Sequence, residues 1–180
     1  NPTLGNVGLL MRLWSVVLAG NLIGTAVAAW AFNFMPVFDE PTRQAFVSIA
    51  EDVMKNSPTE MFANAIISGW LVATMVWMFP VAGAAKIVVI ILMTWLIALA
   101  DTTHIVVGSV EILYLVFNGN LPWSDFIWPF ALPTLAGNIC GGTFIFALLS
   151  HAQIRNDMSS KRKAEARAQA AEKGKKADRA

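Results

Sequence analysis

Three stretches of this chain are apolar for long enough to cross a bilayer. No charge stands between Arg12 and Asp39, and residues 13–34 are apolar almost throughout. A second apolar stretch covers residues 58–81 and a third residues 131–150. A helix needs about 20 apolar residues to traverse a hydrocarbon core of about 30 Å. The pattern therefore predicts an all-α membrane protein with a span in each stretch.

Residues 84–117 break the pattern. At 34 residues they would make a helix of about 51 Å, too long for one span and too short for two with a turn. In their middle, Asp101-Thr102-Thr103-His104 forms a polar knot between apolar arms. The arrangement predicts two half-helices that meet near the bilayer midplane with irregular backbone between them. Such backbone survives in a membrane only where it is buried in protein or lines a watery cavity. The competing reading is one long tilted helix with a tolerated polar turn.

The connections carry their own signals. In residues 40–56, Phe46, Ile49, Val53 and Met54 recur at helical spacing opposite Arg43, Ser48, Glu51 and Asp52. This predicts an amphipathic helix that lies on the outer surface or caps a neighbour. Ser57-Pro58-Thr59-Glu60 has the spacing of a capping box and starts the next span. Trp123, Phe126, Trp128 and Phe130 form an aromatic cluster suited to a membrane interface.

Composition agrees with the pattern. Of 180 residues, 56% are apolar and 14% charged, where soluble domains carry about 25% charged. Nine of the thirteen Lys and Arg follow His151, so a basic tail, residues 156–180, succeeds a transmembrane domain of residues 1–155. Basic loops stay cytoplasmic. That rule puts the tail inside an inner-membrane protein and the acidic loop between the first two spans outside. The overall charge of +1 gives no reason to expect a nucleic-acid partner. The single cysteine, Cys140, excludes a disulfide framework, and nothing in the spacing calls for a metal or cofactor.

Two segments look alike. Ala19-Gly20-Asn21-Leu22-Ile23-Gly24-Thr25 recurs as Ala136-Gly137-Asn138-Ile139-Cys140-Gly141-Gly142-Thr143. The predicted topology runs them in opposite directions, as in an inverted repeat. Glycines there allow helices to approach closely, and Asn21 and Asn138 can bond the free carbonyls of a broken neighbour. An equal spacing of both copies implies about sixty residues upstream of Asn1, holding one span and a second broken helix.

The order of these features resembles the formate/nitrite transporter family. An Asn-Gly helix, an external amphipathic loop, a span ending Val76-Trp77-Met78, a broken helix centred on His104 and a final Gly137–Gly142 helix match its last four of six membrane segments. The resemblance covers residues 6–155. It implies a homo-pentamer with one pore per protomer that passes formate, nitrite, hydrosulfide or lactate-like anions. It also matches Val72 and Ile97 to apolar pore constrictions. The chain departs from the family where Thr103 replaces a glutamate, Gly108 replaces an asparagine four residues after the histidine, and Gly69 replaces a polar asparagine. It reads as a divergent branch.

His104 is the one histidine in the membrane interior, where ionisable groups mark pathways by default. Near neutral pH an imidazole offers an N–H donor or a charge to an anion. Thr102 and Thr103 are candidate hydroxyl donors, and the start of the second half-helix adds partial positive charge. Asp101 opposes an anion. It is protonated, pairs with His104 or Arg12, or caps the second half-helix, and its residue type favours capping. Gly141 and Gly142 support the break by close packing. The predicted function is a channel or anion–proton symporter for small monovalent anions of weak acids, and not an enzyme. The alternatives are a structural or assembly protein and, with less support, a membrane enzyme using His104 and Asp101.

Overall fold

The computed structural model describes residues 4–152 and residue 155, and the basic tail lies outside the described residues. All regular structure among the described residues is helical. The helices are α1 (Leu4–Phe34), α2 (Glu40–Met54), α3 (Pro58–Ala82), α4 (Lys86–Leu99), α5 (Ile105–Phe117) and α6 (Trp123–Ala152). By length and apolar composition, the helical stretches Leu4–Phe34, Pro58–Leu99 and Trp123–Ala152 are membrane-spanning candidates.

Helix α1 begins at Leu4, nine residues before the predicted start. It ends ahead of Pro36, where an arginine from the next helix binds one carbonyl of its last turn and two of the following loop. Arg43 donates from Nη1 to the Asn33 carbonyl at 2.8 Å, from Nη2 to Met35 at 2.9 Å and from Nε to Phe38 at 3.2 Å. Helix α2 starts on Asp39, whose carboxylate accepts from the Thr42 N–H at 3.1 Å. Its apolar face caps a neighbour: Ala50 and Val53 are buried, and the Phe46 ring meets Tyr114 of α5 edge-on.

Helix α3 opens with a complete capping box. The Ser57 N–H donates to Glu60 Oε2 at 2.7 Å, and the Glu60 N–H donates to Ser57 Oγ at 3.3 Å. The chain reverses at Gly83, whose φ of 50° and ψ of −123° suit a residue without Cβ. A short 3₁₀ turn leads into α4, which runs back along α3 until Thr103 reaches the Met61 carbonyl.

The broken helix is present. Helix α4 ends at Leu99 and α5 starts at Ile105. With 14 and 13 residues, they are about 21 and 20 Å long, so neither alone crosses a hydrocarbon core of about 30 Å.

Helix α6 is irregular, with wider π-turns at Phe126–Ala131 and Cys140–Ile145 and a kink at Trp128. It lies against α3 with main chains almost touching. A Cβ on Gly137 would collide with the Phe62 carbonyl, one on Gly141 with the Ile66 carbonyl, and one on Gly69 with the Asn138 backbone. Gly69 is buried under α6. The first copy of the repeated segment is placed differently: Asn21 is exposed, and Gly20 and Gly24 face open space within 4 Å.

Gly141→Ala should destabilise the protein by about 1–3 kcal/mol, the usual cost of overpacking. Gly8→Ala should change little, because the added methyl meets nothing within 4 Å. Thermal unfolding in mild detergent compares the two, and equal midpoints would refute the close α3–α6 contact.

Candidate functional site

The site is built around five residues, 100–104, that leave the helical ladder. Helix α4 is wound down by Asp101, whose φ of 49° is left-handed, a conformation that Asp tolerates better than most residues. The Thr102 N–H and Oγ1 both donate to the Ile97 carbonyl, at 3.2 and 3.1 Å. Thr103 is buried; its Oγ1 donates to the Met61 carbonyl at 2.8 Å, and its own carbonyl accepts from the Ser68 hydroxyl.

Asn138 of α6 joins the pieces. Its Nδ2 donates to the Ala65 carbonyl at 2.8 Å and to Ser68 Oγ at 3.0 Å, with a longer approach of 3.5 Å to the Thr103 carbonyl. Its Oδ1 accepts from the Ile105 N–H, the first of α5, at 2.8 Å. The next N–H, of Val106, donates to Nδ1 of His104 at 3.3 Å.

Three expectations change. Asp101 does not cap α5, because His104 holds the N-cap position and Asn138 takes the preceding N–H. Nor does Asp101 join an ion pair with His104 or Arg12, since the one salt bridge among the described residues joins Lys55 to Asp52. Thr102 and Thr103 line the site, but both hydroxyl protons are committed to backbone carbonyls. They present lone pairs only. In a neutral His104, an accepting Nδ1 places the proton on Nε2.

Two cavities meet at this histidine. One, of about 520 Å³, is walled by the break and by α2, α4 and α5; Ile97, Asp101, Thr102 and Thr103 line it. The other, of about 510 Å³, lies between α3 and α6 and is lined by Val72, Trp77, Asn138, Gly142 and Phe146 among others. His104 is the single side chain common to both. Val72 and Ile97 thus line different cavities that share it. Ala73 lines the second cavity, Gly141 lines neither, and Asn21 belongs to neither wall.

Sequence reasoning passed over Ser68, Thr94, Asp52 and Glu111. Ser68 is fully buried in the hydrogen-bonded knot, while the other three line the first cavity. Glu111 had a visible signal, since it is the one charge in the apolar arm after His104. A Cβ on Gly108 would stand 2.8 Å from the Phe130 ring, so a larger residue there requires that buried ring to shift. Among the described residues, no three of His, Cys, Asp and Glu are placed to hold a metal ion together.

The family profile described as formate/nitrite transporter matches residues 4–152. The chain belongs to the formate/nitrite transporter family. The Escherichia coli (strain K12) protein named inner membrane protein YfdC is 83% identical over 169 residues, which cover 94% of this chain and 54% of that relative. The chain thus spans about half the length of the curated relative it matches. No solved structure matches it.

In this formate/nitrite transporter family member, Asn138 ties three helices to the break. Asn138→Leu removes a donor and an acceptor inside the membrane and leaves the Ile105 N–H and the Ala65 carbonyl without that partner. An unsatisfied buried group costs about 1–3 kcal/mol. Faster amide exchange at Ile105 and Val106, with a lower unfolding midpoint, is the expected result. Wild-type protection in the variant would show that the break is held by other contacts.

Proposed function

We propose that the protein passes small monovalent anions of weak acids, formate or nitrite in kind, by way of His104. The observation that carries this reading is the position of His104 as the sole residue shared by two cavities, one at the helix break and one between α3 and α6. An anion that enters an apolar constriction sheds water at high cost. The Nε2–H of His104 offers a hydrogen bond at that point. A proton taken up by the ring offsets the charge entirely. Val72, Val76, Trp77 and Phe146 on one side and Ile97 on the other exclude hydrated ions while leaving the donor exposed to both.

Family membership supports transport rather than catalysis, and the name of the relative supports an inner-membrane location. The same reading places the basic tail in the cytoplasm and groups five protomers in a ring with one pathway each. It also pairs the exposed Asn21 face of α1 with a second broken helix, by analogy with the contact that Asn138 makes. The cavity walled by α2 then opens outward and the α3–α6 cavity inward.

His104→Phe keeps the ring volume and removes the polar function. It should abolish formate and nitrite flux in proteoliposomes without changing oligomer size. His104→Asn retains a donor but does not titrate between about pH 5 and 8; it should keep part of the flux and lose its pH dependence. Flux through His104→Phe equal to wild type would make the histidine structural and end the proposal.

A further inference from the structure

Glu111 lies one helical turn beyond Gly108 on α5 and lines the same cavity as His104. It also borders an apolar recess of about 350 Å³ formed with Phe32, Phe46, Ile49, Val107, Val110 and Tyr114. Its carboxylate folds back toward the start of the helix. Oε2 comes 3.9 Å from the point that a Cβ on Gly108 would occupy, which puts the carboxylate beside that glycine. Among the described residues it has no hydrogen-bond or ion-pair partner, and a carboxyl at membrane depth without one is costly unless it has a task.

The donors of the cavity show what that task is. The hydroxyls of Thr94, Thr102 and Thr103 all donate to backbone carbonyls. The first two N–H groups of α5 are taken by Asn138 and His104. The titratable groups that face Glu111 are Asp52 from α2, Asp101 and His104 from the break, and Tyr114 from its own helix. Helices α1 and α4 contribute Phe32, Thr94, Ile97 and Ala98 and no charge. Among the side chains of the cavity, an entering anion therefore meets one with a free donor, His104, and the carboxyls of Asp101 and Glu111, which repel it when ionised, while Asp52 is paired with Lys55.

We infer that Glu111 is a second proton-exchanging group of the pathway, which admits a weak-acid anion only together with a proton. This rests on the function proposed above. A proton from the outer solution, relayed as hydronium through water in the cavity walled by α2, protonates the carboxylate at Oε2 and leaves neutral water. The carboxyl O–H then donates to the incoming anion and passes its proton to it, giving a neutral acid and a carboxylate. The acid moves on past His104, and a second hydronium-borne proton from the same mouth reprotonates Glu111. The ionised form closes the path to free anions, so Glu111 sets which charge state of the substrate is accepted.

The test uses the whole protein in liposomes, with formate as the probe and an internal pH dye to count protons, between about pH 5 and 8. Glu111→Gln keeps an N–H donor and removes both titration and charge. It should raise formate flux at the alkaline end about tenfold over wild type, the size of one unit-charge repulsion across about 10 Å of protein interior. It should also flatten the pH profile and lower the protons carried per formate. Glu111→Asp still titrates but withdraws the carboxyl from Gly108; it should lower the rate and keep the slope. It carries the test if the glutamine variant fails to fold, and an Asp variant with unchanged rate then overturns the inference. Wild-type profile and stoichiometry in Glu111→Gln, alongside loss of flux in His104→Phe, would sink the role of Glu111 and leave the parent proposal standing. Absence of formate flux in the wild type would bring down both.

Discussion

Everything in this fold answers to the cost of leaving a peptide group unbonded where there is no water. Helices α4 and α5 stop short of each other, and the residues between them expose donors and acceptors that a membrane cannot satisfy. The side chain of Asn138 meets that demand from both of its polar atoms, to Ala65 and Ser68 on one helix and to Ile105 on another. It can do so only because α6 lies almost in main-chain contact with α3. That contact in turn requires Gly69, Gly137 and Gly141. The glycines thus serve the break, and the break creates the two cavities.

The same packing shapes the surroundings of the histidine. Phe130 stands beside Gly108, where an added Cβ would come within 2.8 Å of its ring. The Thr103 hydroxyl donates to the Met61 carbonyl. Glu111 from α5 and Asp101 from the break line the cavity that His104 shares.

Much of the architecture was legible in the sequence because it rests on local rules. Capping at Ser57–Glu60, the amphipathic spacing of α2 and the polar knot in residues 101–104 each have a direct physical meaning. The Ala-Gly-Asn stretch at Asn138 also pointed to the break. What could not be read is three-dimensional pairing. His104 rather than Asp101 caps α5 because the helix starts at Ile105, which makes residue 104 the cap, a boundary that no periodicity reveals. The threonines look like free donors until the carbonyls of Ile97 and Met61 are seen beside them. Glu111 could have been singled out by its isolation alone, yet only the fold shows that it shares a cavity with the histidine.

The bond from Val106 to His104 has a consequence for how the ring handles charge. Nδ1 accepts this N–H at 3.3 Å, and an imidazolium has no acceptor left to offer. A ring protonated at Nδ1 and a capped α5 therefore exclude each other. Each time the ring is charged, the Val106 amide must find water or the ring must swing away. The ionic state of a single side chain is in this way transcribed into the backbone of the helix that it begins.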